Sequence, residues 1–181
     1  MRVFIDFEAS SLGKKSFPIE VAWVFEDGTS KSMLIQPIAE WRDWSPEAEA
    51  LHGISRDVLE REGVPAATVA HQMMSDLIGH DLFASAPSWD GKWLSTLLRG
   101  GGLPRHALRL SRTDEMFLRT ARDILGDTVS DDSIADLIAG VIATTEPVSA
   151  MHRALPDAGL ELQRFHLVRE EATKRAALAS A

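Results

Sequence analysis

The chain has 181 residues, 45% of them apolar, a net charge of −8 and no cysteine. That length favours one domain, residues 1–181, and the apolar share excludes wholesale disorder. The missing cysteine excludes disulfides, thiolate zinc sites and cysteine nucleophiles, while the acidic balance argues against a protein that coats nucleic acid along its length.

In chain order, RVFIDF (2–7) is a short apolar run rich in β-formers and predicts a buried strand. IEVAWVFE (19–26) and SKSMLIQP (30–37) flank Asp27-Gly28, which predicts a hairpin. Ser45-Pro46 begins a helix, with proline suited to its first turn. Ser55 caps a second helix that ends at Gly63, and Pro65 opens a third that reaches about Gly79. DLFASA (81–86) predicts the fourth strand, and a helix over 89–99 presents Trp89, Trp93, Leu94 and Leu97 at helical spacing before the Gly100–Gly102 run stops it. ALRLS (107–111) predicts a fifth strand, followed by helices over 113–125, 131–143 and 154–178. Three antiparallel-leaning strands followed by β-α-β-α units give an α/β fold, a mixed five-stranded sheet with helices on both faces.

No apolar run approaches the ~18 residues needed to span a bilayer. The start, MRVFIDFEAS, has no signal-peptide apolar region. A soluble, cytoplasmic protein without a membrane partner is expected. Between Lys92 and Arg122, seven Lys/Arg face only Asp114 and Glu115, which suits either a solvated helix face or a local path for an anionic substrate.

Three short segments concentrate the chemistry: Asp6 and Glu8 in the first strand, Asp90 at the start of the 89–99 helix, and His152 with Asp157 entering the last helix. Residues two apart on a strand leave the same face, so Asp6 and Glu8 stand side by side and repel unless something neutralises them. Mg²⁺ takes oxygen ligands, and four carboxylates match the charge of two such ions. A histidine has an unperturbed pKa of about 6.5 and takes a proton from water near neutrality. These are the parts of a two-metal phosphodiester hydrolase. Taken singly, each has a plainer reading: an exposed strand face for D-x-E, and first-turn acids for Asp90 and Asp157. His71, His80, His106 and His166 have no comparable setting and read as surface residues.

Taken together, the segments resemble the DEDD 3′–5′ exonuclease superfamily, histidine subtype, an RNase H-like group. Asp6 and Glu8 match its strand-borne D-x-E, Asp90 the acid of its second motif, and His152 with Asp157 its H-x4-D. Leu51-His52-Gly53-Ile54 is similar to an H-G-I segment of that family, and the resemblance runs from residue 3 to about 165. The chain departs from the family in Ala9-Ser10-Ser11-Leu12 where Thr-Thr-Gly is common, in Ala86-Pro87-Ser88 where His-Asn is common, and in Pro156 inside H-x4-D. These departures bear on substrate contacts more than on metal binding. The sister subtype places a tyrosine where this one has its histidine, and the chain has no tyrosine.

The resemblance implies a metal-dependent 3′–5′ exonuclease that releases nucleoside 5′-monophosphates from a single-stranded or frayed 3′ end of DNA or RNA. It implies two divalent cations, Mg²⁺ or Mn²⁺, held by Asp6, Glu8, Asp90 and Asp157, with His152 as general base. Ser10 and Leu12, with His52 and Ile54 opposite, would line the terminal nucleotide. Relatives of this kind include homodimers, so the resemblance allows one here. Two other readings stay open at this point: an RNase H-like endonuclease, and a catalytically quiet binding or interaction module on the same scaffold.

Overall fold

Strand β1 (Arg2–Ala9) lies inside the sheet, between β2 and β5, with a fully apolar run of alternate residues on one face. Val3, Ile5 and Phe7 enter one core cluster and Phe4 the other, so by the alternation of a strand Arg2, Asp6 and Glu8 share Phe4's face. The computed structural model describes residues 1–147 and 152–179. β1 pairs antiparallel with β2 (Pro18–Phe25), which pairs antiparallel with β3 (Ser30–Gln36). On its other side β1 pairs parallel with β5 (Asp81–Ala84), and β5 with β6 (Leu110–Arg112). A two-residue strand β4 (Val64–Pro65) adds parallel to β3, giving six strands in the order β4-β3-β2-β1-β5-β6.

The expected α/β architecture is present, with helices on both faces. α3 (Ala66–Leu77) and α4 (Pro87–Gly100) cover one face through Val69, Met73, Trp93, Leu94 and Leu97. α5 (Thr113–Leu125), α6 (Asp131–Thr144) and α7 (Ala154–Ala179) cover the other through Phe117, Leu137, Phe165 and Val168, packed on Phe4 and Phe83. Local signals set the short helices. Ser45 caps α1 (Pro46–His52) by accepting from the Ala48 amide, and left-handed Gly53 ends it. Ser55 caps α2 (Arg56–Glu62) by accepting from the Val58 amide.

Several boundaries differ from the sequence expectation. β4 went unread because two residues carry no periodicity; Pro65, expected to open a helix, ends this edge strand, and α3 starts at Ala66. α4 begins at Pro87, two residues early, with proline in its first turn. The fifth strand is confined to 110–112 rather than 107–111, and β1 continues to Ala9, so Glu8 lies inside it. Among the described residues, no helix is long and apolar enough to cross a membrane.

Candidate functional site

Asp6 and Glu8 leave β1 on the face covered by α7, and the first turns of α7 bring Asp157 against them. Carboxylate oxygens of Asp6, Glu8 and Asp157 all lie within 4.8 Å of one another, and all three residues are half-buried. Asp90 sits in the first turn of α4, just after β5. Since β5 runs parallel to β1, both segments deliver their acids at the same end of the sheet, where sites in α/β proteins collect.

The electrostatics are unfavourable as the protein stands. Burial pushes the Asp6 carboxyl well above its usual range, and the charges of Asp90, Glu8, Asp157 and Glu161 push the same way. Burial raises Glu8 to about 8, helped by Asp157 and Glu20 and opposed by Arg153. Asp90 is raised to about 7 by burial, with backbone hydrogen bonding at Ala86 and Phe7 offsetting part of that. Among the described residues, no Lys or Arg forms an ion pair with Asp6, Glu8 or Asp90. Acids this close are neutralised by holding protons, as their raised pKa values indicate, and their oxygens could equally hold a cation.

His152 precedes α7 and is largely exposed. Its amide donates to the Leu51 carbonyl at 3.0 Å, and its Nδ1 stands 3.4 Å from Asp157 Oδ2. The structure therefore brings Asp6, Glu8 and Asp157 together, stands His152 against Asp157, and sets Asp90 close enough for its charge to act on Asp6.

The four residues expected to line a nucleotide fall differently. Ser10 is fully buried; its Oγ accepts from the Phe17 amide and its carbonyl from the Ser45 amide, so its side chain fastens the loop after β1. Ile54 is buried in the core. His52 is buried too, its Nδ1 accepting from the Ile54 amide at 3.0 Å and its Nε2 without a partner among the described residues. Leu12 is the outward one, 71% exposed. It borders an open groove of about 500 Å³ with Lys14, Ser88, Trp89 and Lys92, directly beside Asp90 in sequence. Trp89 stacks on Trp93 with ring centroids 5.6 Å apart, and Lys92 lies 5.0 Å from the Trp89 centroid.

Several side chains of the basic segment are engaged within the fold. Arg112 pairs with Asp114, Arg122 with Asp131, and Arg99 bonds back onto its own helix, whereas Lys92 borders the groove and donates to the Gly13 carbonyl and Ser16 Oγ.

Sequence reasoning missed Glu20 and Arg153. Glu20 is buried on β2, where it is the register partner of Glu8, and its carboxylate accepts from Arg153 Nη2 at 2.6 Å, Arg153 Nε at 2.9 Å and the Ala154 amide at 3.0 Å. A lone acid inside PIEVAWVF was the available signal. It also missed Glu161, one helical turn beyond Asp157, which is buried and paired with Arg164 at 2.8 Å.

No family model and no curated protein matches the chain. Solved structures do. Escherichia coli exonuclease I bound to single-stranded DNA, in its zinc form, superposes with a TM-score of 0.69 at 17% identity, over 94% of this chain and 40% of that one. Exonuclease I of Methylocaldum szegediense gives 0.68 at 18% identity, over 93% and 40%. The Escherichia coli enzyme with a dT13 oligonucleotide gives 0.67 at 16%, over 96% and 42%. At such identities the likeness carries the fold: the chain has the scaffold found in these exonucleases and spans about two fifths of their length.

Proposed function

We propose that this chain is a metal-dependent 3′–5′ exonuclease of the DEDD superfamily, histidine subtype, acting on a single-stranded or frayed 3′ end of DNA or RNA and releasing nucleoside 5′-monophosphates. The observation that carries the reading is the nest of Asp6, Glu8 and Asp157, with oxygens within 4.8 Å, no cationic side chain bound to Asp6 or Glu8 among the described residues, and His152 against Asp157. The exonuclease I scaffold supports it.

The donor set fits hard divalent cations. Oxygen donors at this spacing are what Mg²⁺ and Mn²⁺ take, and the mutual repulsion of Asp6, Glu8 and Asp157 is what such an ion would offset. Asp6, Glu8 and Asp157 would hold one ion, and Asp90 with Asp6 a second. Bound there, a pair of ions lowers the pKa of water and stabilises charge on the leaving 3′-oxygen.

The chain's own residues supply the rest. Nδ1 of His152 stands 3.4 Å from Asp157, which would orient the ring and leave Nε2 to accept a proton from the attacking water. The exposure of His152 lets that proton pass to solvent. The groove lined by Trp89 offers parts that an unpaired strand could use: the exposed part of Trp89 against a base, Leu12 as an apolar edge, and Lys14 for a phosphate. A groove of about 500 Å³ would take few nucleotides, in keeping with the acidic overall charge.

The test is a time course on matched 5′-labelled single-stranded DNA and RNA with Mg²⁺, Mn²⁺ or chelator. A ladder shortening from the 3′ end, dependent on metal and blocked by a 3′-terminal cap, is expected. Internal cleavage of the capped strand would instead mark an endonuclease, and digestion under chelator would remove the metal-dependent reading.

A further inference from the structure

α7 packs on β1 through Phe165 against Phe4, about two turns beyond Asp157, so its start, where His152 and Asp157 lie, needs an anchor of its own. α7 starts at Ala154 behind Arg153, without an Asp, Asn, Ser or Thr at position 153 to cap it. The anchor comes from β2. Glu20 receives the planar fork of Arg153, Nη2 to Oε1 and Nε to Oε2, and the same Oε2 takes the amide of Ala154, the first residue of the helix. A carboxylate 134 positions away thus caps α7 and grips the residue next to His152. Glu20 is the cross-strand partner of Glu8, so the clamp is fastened to the same pair of strands that presents the acidic nest.

We infer that Glu20 and Arg153 are positioning residues, a clamp that sets His152 and Asp157 over the β1 carboxylates; this rests on the exonuclease reading above. The side chain of Glu20 is 3% exposed, so the fork is shielded from water on that side, and a bidentate pair fixes orientation as well as distance. Arg153 is flanked by His152 on one side and, four residues on, by Asp157, so a tilt of the first turn of α7 moves both. The His152 amide bond to Leu51 is a second tether on the same residue. With one tether lost, the imidazole and the Asp157 carboxylate no longer share a fixed frame with Asp6 and Glu8.

Glu20→Gln, Arg153→Met, the double variant and Arg153→Lys should be compared with the wild type by calorimetric Mn²⁺ binding, by kcat and KM at saturating metal, and by melting temperature. Displacing reacting groups by ~1 Å costs up to ~100-fold in rate, so kcat should fall about 10- to 100-fold with KM within about twofold. Mn²⁺ affinity should weaken about tenfold, and the double variant should be no worse than the worse single one, because both singles break one interaction. Arg153→Lys, which keeps the charge and loses the fork, should fall between; it also decides the matter if a charge-removing variant does not fold. Folded variants that melt lower yet keep wild-type Mn²⁺ affinity and kcat overturn the clamp and leave Glu20–Arg153 as stability only. A wild type that neither binds Mn²⁺ nor shortens oligonucleotides overturns the exonuclease reading itself, whereas one that binds Mn²⁺ without hydrolysis leaves the clamp to be judged on affinity.

Discussion

Raising the pH from about 5 to about 8 under chelation should destabilise this protein, and Mg²⁺ should reverse the loss. In the fold, Glu8 holds its proton up to about 8 and Asp90 up to about 7, and Asp6 is raised as well. The unfolded chain releases those protons near pH 4. Between these limits the native state binds more protons than the unfolded state, so unfolding free energy falls as pH rises: the contribution is whole below about pH 4 and is lost as pH passes through about 7 to 8. Holding one acid protonated over such a range corresponds to about 4 kcal/mol. The three acids repel one another and titrate as a cluster, and Glu8 is partly in water, so the sum is far less than three times that. A net loss of about 4 kcal/mol lowers the melting temperature of a protein this size by roughly 8–16 °C. Differential scanning calorimetry at several pH values, in chelator and in excess Mg²⁺, measures it. Asp6→Asn isolates the cluster from the rest of the titrating surface: under chelation near pH 8 it should be more stable than wild type, with a shallower pH slope. A wild type that gains stability from pH 5 to 8 under chelation, or an Asp6→Asn variant with an unchanged slope, refutes the reasoning.

Three further outcomes are expected. His152→Ala should lower kcat about 10²- to 10⁴-fold while calorimetric Mn²⁺ binding persists, since general-base catalysis is worth that much and the carboxylates remain; near-wild-type turnover would remove His152 from the role. Trp89→Ala should weaken oligonucleotide binding about 10-fold or more, from the ~1–3 kcal/mol of a base–aromatic stack, and should lower the melting temperature somewhat through its lost stack on Trp93; unchanged affinity in the folded variant would show that the strand takes another route. Gly63→Ala should cost about 1–3 kcal/mol, read by denaturant titration, because its Cβ would stand 2.3 Å from the Leu59 carbonyl oxygen and 2.7 Å from the Gln36 nitrogen, both backbone.

How much was legible depended on how local each signal was. The caps at Ser45 and Ser55, the turn at Gly28 and the whole of α5 follow from residues a few positions apart, and these fall where the sequence puts them. β4 has two residues and no pattern of its own; it exists because Gly63 lets the chain approach Gln36 closely enough for Val64 to pair with Ile35. The acidic residues were legible as a set because their types are unusual for a strand and a helix start. Their surroundings were not. Ser10 and Leu12 are two residues apart beside the same motif, yet Ser10 is bonded into the loop and Leu12 stands in solvent, a difference set by Phe17 and the Ser45 amide. Glu20 reads as an oddity in an apolar strand until Arg153 supplies its partner.

Glu8 and Glu20 sharpen what separates an acid that belongs to the fold from one that awaits something else. They face each other across the same strand pair, one register position. Glu20 is the more buried and the better satisfied: two guanidinium N–H groups and a backbone amide converge on its oxygens. Glu8 is less buried, yet among the described residues no donor bonds its carboxylate, and the charges of Asp157 and Glu20 work against it with Arg153 a partial offset. Burial alone would have driven selection of an apolar residue at either position, as it does at Val21 and Phe7 next door. At position 20 the buried charge is repaid by fastening α7. At position 8 the fold returns nothing for it, and neither does it for Asp6. Two half-buried acids on one strand face, beside a third brought in by α7, are what a ligand of opposite charge would repay, so the proposed metal site takes Asp6, Glu8 and Asp157 and not Glu20.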